Sequence, residues 1–411
     1  MVLTNSSISD HGTSNEKWLI SKHITGLCKD PYNENAVLSR RSLLKSAALA
    51  GSAALATSCR RHRPFSGYAF VANRDGHAIA AVDLSLFAVT RYIRIDGGPT
   101  AVVADPPRQR VYALTPDNGL IHEIRADRLA LGRTLPVARS AVSMRLSADG
   151  RHIYAICRDP RRLAAVSLEG FRVEWSAPVA DDPVDLDIAP TGSHAAISFG
   201  KAGSIQLIDL VARRASPVQT ISSEVGILRF AGNSRRVENL LVGDVSGQML
   251  QALQVPTGRL ISKMPLGLRP RHFCFNADGG QLFITGEGRD AVVIAYPYYT
   301  PQVGETVLAG RSPGAMAASS TLLFVANSES GDISIFNIES RRLVGVAPAG
   351  NNPSFITITP DDQYALVLDQ DSGDIAVLWI PMIARHLGRP APLYNIIPVG
   401  SRPVAAAVLP V

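Results

Sequence analysis

Leu323–Gln363 reads LFVANSESGDISIFNIESRRLVGVAPAGNNPSFITITPDDQ, and Tyr68–Gln109 reads YAFVANRDGHAIAAVDLSLFAVTRYIRIDGGPTAVVADPPRQ. Both run through a short apolar strand, a polar turn with Gly or Asp, and a second run ending near an acid or amide. A third run follows, then a Pro-containing loop and a fourth run. The same pattern can be laid along the chain eight times, its first strands beginning near Tyr68, Val111, Ile153, Ala195, Leu240, Leu282, Leu323 and Tyr364, at intervals of 41 to 45 residues. Four short strands per repeat at such a period is the mark of a β-propeller. The expected fold is therefore all-β, with eight blades of four antiparallel strands and seven blades as the alternative.

Composition agrees with many short strands. Charged residues make up 18% of the 411, below the roughly 25% of an average soluble protein. Gly (33) and Pro (27) are frequent, as tight turns require. Several runs, Ala291–Ala295 among them, are apolar throughout rather than alternating. That pattern suits strands covered on both faces by neighbouring blades. Outside residues 1–59 no long segment has helical periodicity.

The formal net charge is +6, but residues 1–59 hold six Lys/Arg against four acids. The remaining 35 basic and 31 acidic residues leave a mild bias with no nucleic-acid footprint.

Ser39-Arg40-Arg41-Ser42-Leu43-Leu44-Lys45, followed by SAALAGSAALATSC, resembles the twin-arginine export signal, with Leu43 in place of the usual Phe. The apolar stretch Ala47–Thr57 is shorter than the roughly 20 residues needed to span a bilayer. Residues 1–38 are polar and patternless, which suggests translation starting near Val37 or Leu38. Leu55-Ala56-Thr57-Ser58-Cys59 resembles a lipobox, in which Cys59 would be acylated; cleavage after Ala56 is the rival reading. Arg60, Arg61 and Arg63 would then add attraction to anionic headgroups. The expected organisation is a leader over 1–59, a tether over 60–66 and one propeller domain over 67–411. The expected location is the periplasm, or a membrane-anchored lipoprotein on the outer side of the inner membrane or on the outer membrane.

Phe70-Val71-Ala72-Asn73 and Phe324-Val325-Ala326-Asn327 resemble the strand that names the YVTN-repeat family of bacterial propellers, a likeness covering about 345 residues. The resemblance implies that the strand after the G-x-x-P loop is innermost and the YVTN strand second. The chain then begins on a second strand, Tyr68–Ala72, and ends on an innermost one, Val404–Leu409. The last strand would complete the blade begun by residues 67–97 and remove an open sheet edge.

Propellers bind ligands on the face where the loops into the innermost strands meet the loops between second and third strands. The former loops contain, in order, Gly98-Pro99-Thr100, Arg139-Ser140, Asp182-Pro183, Glu224-Val225, Arg269-Pro270-Arg271-His272, Arg311-Ser312-Pro313, Asn351-Asn352-Pro353 and Ser401-Arg402-Pro403. Arg139, Arg269, Arg271, Arg311 and Arg402 are expected to form a cationic arc opposite Asp182 and Glu224, with His272 and Asn352 beside it. Guanidinium offers a planar fork of donors to carboxylate or phosphate. The competing reading is a set of solvated loop residues in turns fixed by Pro.

Other motifs fail on context. Gly310-Arg311-Ser312-Pro313-Gly314 satisfies G-x-S-x-G, but a nucleophile elbow needs a following helix and partner residues. Asp369–Asp374 and Asn327–Asp332 look like oxygen-rich loops, yet lack the downstream Glu of a calcium hand. Both fall at a turn that every blade must make. Cys157 and Cys274 lie in strands of different blades, and no C-x-x-C-H is present for haem attachment. The three Trp residues do not form the repeated motif of quinoprotein dehydrogenases. No cofactor, metal site or catalytic residue is assigned. The expected function is a monomeric binding propeller for an anionic small molecule, glycan or protein partner. The enzymatic alternative is a propeller lactonase using Glu224, His272 and Arg311.

Overall fold

The computed structural model describes residues 65–180, 182–231, 239–297 and 301–411. Arg40, Arg41 and Cys59, and with them the leader and most of the tether, lie outside the described residues. The described chain forms eight sheets, seven of four strands and one whose outermost strand is split in two. Each runs antiparallel from an innermost to an outermost strand. Every innermost strand touches the next, and the last touches the first, so the ring closes.

Blade one is made from both ends of the chain. Gly67–Asn73, Ala78–Asp83 and Ala88–Arg94 supply its second, third and outermost strands, and Pro403–Pro410 its innermost. The clasp pairs Tyr68 with Leu409, Phe70 with Ala407 and Ala72 with Ala405. Ser66 and Val411 extend it, the Val411 N–H donating to the Ser66 carbonyl at 3.2 Å. Gly67 is demanded by this closure, because a Cβ there would collide with the Leu409 carbonyl and the Phe65 ring. Blades two to eight then follow in order, with innermost strands Ala101–Asp105, Ser140–Leu146, Asp185–Ile188, Val225–Ala231, Arg269–Phe275, Pro313–Ala318 and Pro353–Ile358.

Burial explains the apolar runs. In blade one, Ala69 and Val71 pack toward blade eight, while Phe70 and Ala72 pack toward blade two. Both faces of the second strand are dry, so alternation disappears from the sequence. Eight apolar clusters result, one in each seam between blades. Each fully buried Leu, Ile, Val or Phe contributes about 1.5–3 kcal/mol. Outermost strands are largely exposed, as the pattern of Ala88–Arg94 shows.

The amide that ends the YVTN-like strand has a structural task. Asn327 is fully buried, and its Nδ2 donates to Asp332 Oδ1 at 2.6 Å and Ser334 Oγ at 2.9 Å. It thereby locks the turn into the third strand. Asn73 donates instead to the Val399 carbonyl, tying blade one to the loop leaving blade eight.

Two departures from the repeat have local causes. In blade four the outermost strand breaks into Arg214–Ala215 and Gln219–Thr220, because Pro217 between them has no N–H for the ladder. In blade eight a short helix, Ile380–Arg385, interrupts the path to the outermost strand Asn395–Pro398. The chain beyond it lies along blade seven, where the N–H groups of Gly388 and Ala391 donate to the carbonyls of Val344 and Val346 at 2.7 and 3.1 Å. That contact covers part of an exposed sheet edge.

Candidate functional site

The loops into the innermost strands and the turns after the second strands share one face of the ring. The arginines expected there divide into two groups. Arg139 lies 3.6 Å from Asp159, Arg271 2.9 Å from Glu287 and Arg402 3.8 Å from Asp75. In each case the acid comes from the end of a second strand or the turn after it. Asp182 is likewise met by Arg158 at 3.1 Å. These pairs are largely exposed, so each contributes little to stability, but together they neutralise much of the expected arc. Arg269 and Arg311 are different: both are exposed, and among the described residues no carboxylate lies within ion-pair distance of either.

Backbone geometry accounts for part of the loop pattern. Asp182, Ser312, Asn352 and Arg402, each directly before Pro, adopt left-handed conformations with φ between 48° and 58°. Asn tolerates this region well, and Asn352 also bonds Gln370 through its side chain at 3.3 Å. Ser312 is committed too: its N–H donates to Asp290 Oδ1 at 2.9 Å and its carbonyl accepts from Ser328. The strand Pro313–Ala318 follows it, with no helix. Glu224 donates its N–H to Ser222 and Ser246.

A polar cluster inside the ring lies deeper, on innermost strands of four successive blades. Arg145 comes from blade three, Asp185 and Asp187 from blade four, Arg229 from blade five and His272 from blade six. Asp185 Oδ2 accepts from Arg229 Nη1 at 2.6 Å and from the Leu228 N–H at 3.1 Å. Its Oδ1 faces Arg145 Nη2 at 3.4 Å. Asp187 Oδ2 accepts from the Phe230 N–H at 2.8 Å. An innermost strand has one edge paired and one facing the central opening. Asp185 and Asp187, two residues apart, bond N–H groups two residues apart on the free edge of the next blade.

Arg145, Asp187 and Arg229 pair in the sheet with Tyr154, Ala196 and Leu241, placing them at one level, far from the loop face where their strands begin. Asp185 and His272, opposite Ser198 and Thr285, lie one layer nearer to it. His272 therefore belongs to a strand rather than to the loop. A Cβ on Gly314 of blade seven would lie 3.7 Å from its Nε2, so the ring reaches across the next seam.

The electrostatics follow from enclosure. Burial lowers the His272 pKa, and the nearby Arg229 and Arg271 cations lower it further. The residue is exposed, but surrounding walls strip part of its hydration. Burial raises the Asp187 pKa, against the pull of Arg229. Burial and repulsion from Arg229 lower that of Arg145. Burial works against the Arg229 cation too, but Asp185 and Asp187 together outweigh it and hold its pKa above the ordinary value. Glu224 makes no hydrogen bond to this cluster, so the trio Glu224, His272 and Arg311 is not assembled as a hydrogen-bonded unit.

Reading loops alone missed Arg145, Asp185, Asp187 and Arg229. The available signal was a charge inside a short apolar strand: SAVSMRL, DLDI and VGILRFA. Among the described residues no group of three or more His, Cys, Asp or Glu converges as a metal site would.

A model of the family described as "Lactonase, 7-bladed beta-propeller" matches residues 251–391, about a third of the chain. No curated protein matches. Solved structures do. Dihydro-heme d1 dehydrogenase NirN, in complex with DHE, is similar at 12% identity and a TM-score of 0.69, over 84% of this chain and 77% of that one. A functionally unknown protein from Desulfotomaculum acetoxidans is 10% identical, with a TM-score of 0.57 over 84% and 99%. Hydrazine synthase of Kuenenia stuttgartiensis is 16% identical, with a TM-score of 0.54 over 77% and 95%. At such identities the likeness is one of fold: this chain is an eight-bladed β-propeller closed by its own last strand.

Proposed function

We propose that this chain is a binding propeller of the YVTN-repeat type that receives an anionic small molecule, glycan or protein group at its central loop face. The observation that carries this reading is the contrast among the arginines. Arg139, Arg271 and Arg402 already face carboxylates, whereas Arg269 and Arg311, on consecutive blades, do not. An unpaired guanidinium at a concave mouth is free to present its donor fork to an incoming anion. A thermal-shift screen of anionic metabolites and acidic sugars tests it, because a ligand that binds the native state raises its melting point. At least one hit should be lost in the Arg269→Ala, Arg311→Ala double variant; if every hit persists unchanged, the proposal fails.

The leader completes the reading: twin-arginine export over residues 1–59, a tether over 60–66, and acylation at Cys59 holding the 67–411 domain at a membrane. Export of an already folded chain suits a ring that closes only with its final strand. Replacing Arg40 and Arg41 by Lys should block export. Cys59→Ser should release the protein from the membrane fraction, and retention there would count against acylation.

The lactonase reading is favoured by the family match over 251–391. Hydrolysis of a lactone panel that falls with His272→Ala would support it. The separation of Glu224 from the deep cluster supports binding over that chemistry.

A further inference from the structure

We infer that the far half of the central channel is a second anion site, in which Arg145 and Arg229 receive a compact oxyanion, phosphate or carboxylate, beside Asp185.

The Leu228 and Phe230 N–H groups lie on the free edge of blade five, and Asp185 and Asp187 satisfy them. Arg229 then neutralises Asp185 at 2.6 Å. Stapling blade four to blade five is complete with these three side chains. Arg145 adds nothing to it. Its contact with Asp185 is long, 3.4 Å, and is made to an oxygen that does not serve the staple. Among the described residues its one other side-chain hydrogen bond runs to the Met144 carbonyl of its own strand, at 3.1 Å. A guanidinium carries five donors, so most of this fork is uncommitted.

Placing Arg145 there is also unfavourable, since burial and the Arg229 cation both work against its charge. Asp185 and Asp187 both favour the two cations, but only Asp185 touches the guanidinium groups, while Asp187 accepts from the Phe230 N–H. Arg145 remains 32% and Arg229 24% exposed, against 16% for Asp185. Both guanidinium groups are thus more open to the channel than Asp185, while Asp187 is partly exposed. An oxyanion between the two forks would take up their uncommitted donors and accept in the bidentate manner that guanidinium favours. Enclosure strengthens such a contact relative to one at the rim.

The site shares no residue with the mouth arginines, and the two readings can fail separately. The test is calorimetric titration of the full chain at low salt with inorganic phosphate and, in parallel, succinate. At least one probe should bind. Arg145→Gln, which leaves the Asp185–Arg229 staple intact, should weaken binding about tenfold or more while leaving the melting point nearly unchanged. Arg145→Lys keeps the charge but loses the fork and should fall between; should Arg145→Gln not fold, this variant decides. The Arg269→Ala, Arg311→Ala pair should bind the probe as wild type does. Absence of binding by both probes, or Arg145 variants with wild-type affinity, would overturn the inference. Loss of binding only in the mouth variant would assign the anion to the loop face instead.

Discussion

Asp185 of blade four accepts a hydrogen bond from Arg229 of blade five at 2.6 Å, across the seam of two innermost strands. The same carboxylate takes the Leu228 N–H and faces Arg145 of blade three. One side chain thus links three consecutive blades at the wall of the channel.

Removing that carboxylate leaves two cations and a backbone donor without their acceptor. Asp185→Ala should lower stability by about 3 kcal/mol, the scale of breaking one side of an enclosed ion pair. Asp185→Asn, which keeps the shape and one acceptor, should lose less. Denaturant titration measures both, and equal stability of Asp185→Ala and wild type would show the network to be idle.

The clasp can be tested by truncation. Deleting the last ten residues removes the innermost strand of blade one and exposes the edge of Gly67–Asn73. Such an edge invites pairing with other chains. The shortened protein should lose its cooperative melting transition and aggregate, as followed by calorimetry and light scattering. Melting identical to that of the intact chain would contradict the closure.

Gly67→Ala probes the same seam without shortening it. The added methyl meets the Leu409 carbonyl and the Phe65 ring, and overpacking of this sort costs about 1–3 kcal/mol. A Gly67→Ala protein as stable as wild type would mean that the strand ends shift freely.

Asp369 supplies a pH dependence. It ends the second strand of blade eight, where Asn327 stands in blade seven, and has Asp374 five residues on, as Asn327 has Asp332. Burial is the main cause that pushes its pKa up, to about 7, with Asp374 adding to it. In the unfolded chain the group ionises near 4. Between these values the native state binds the extra proton, so stability falls as pH rises from about 4 to 7, by at most about 1.4 kcal/mol per pH unit. Asp369→Asn should flatten that slope and raise the melting point at pH 8. An unchanged slope in the variant would place the titration elsewhere.

Much of the architecture is legible in one dimension because each blade is built from contacts within about 42 residues. Apolar runs, turn residues and G-x-x-P loops recur at that spacing, so strand number, phase and the closing strand can be read together. The split outermost strand of blade four is visible only afterwards as the effect of Pro217. The candidate site was legible in part. Arg269 and Arg311 could be placed on the loop face by register alone. That Arg402 meets Asp75 could not, since the two are joined only by ring closure.

The sequence by itself determined a ring of four-stranded blades, eight by the repeat count with seven as the alternative, and which strand seals it, because backbone pairing and burial follow a local period. Only the tertiary structure decided which charges meet. Arg145, Asp185 and Arg229 lie some forty residues apart, one per blade. A repeat specifies the level of each side chain on its strand, but its partner belongs to the next blade. Coulomb energy and the acceptors within reach then settle which arginine is bound and which is left open.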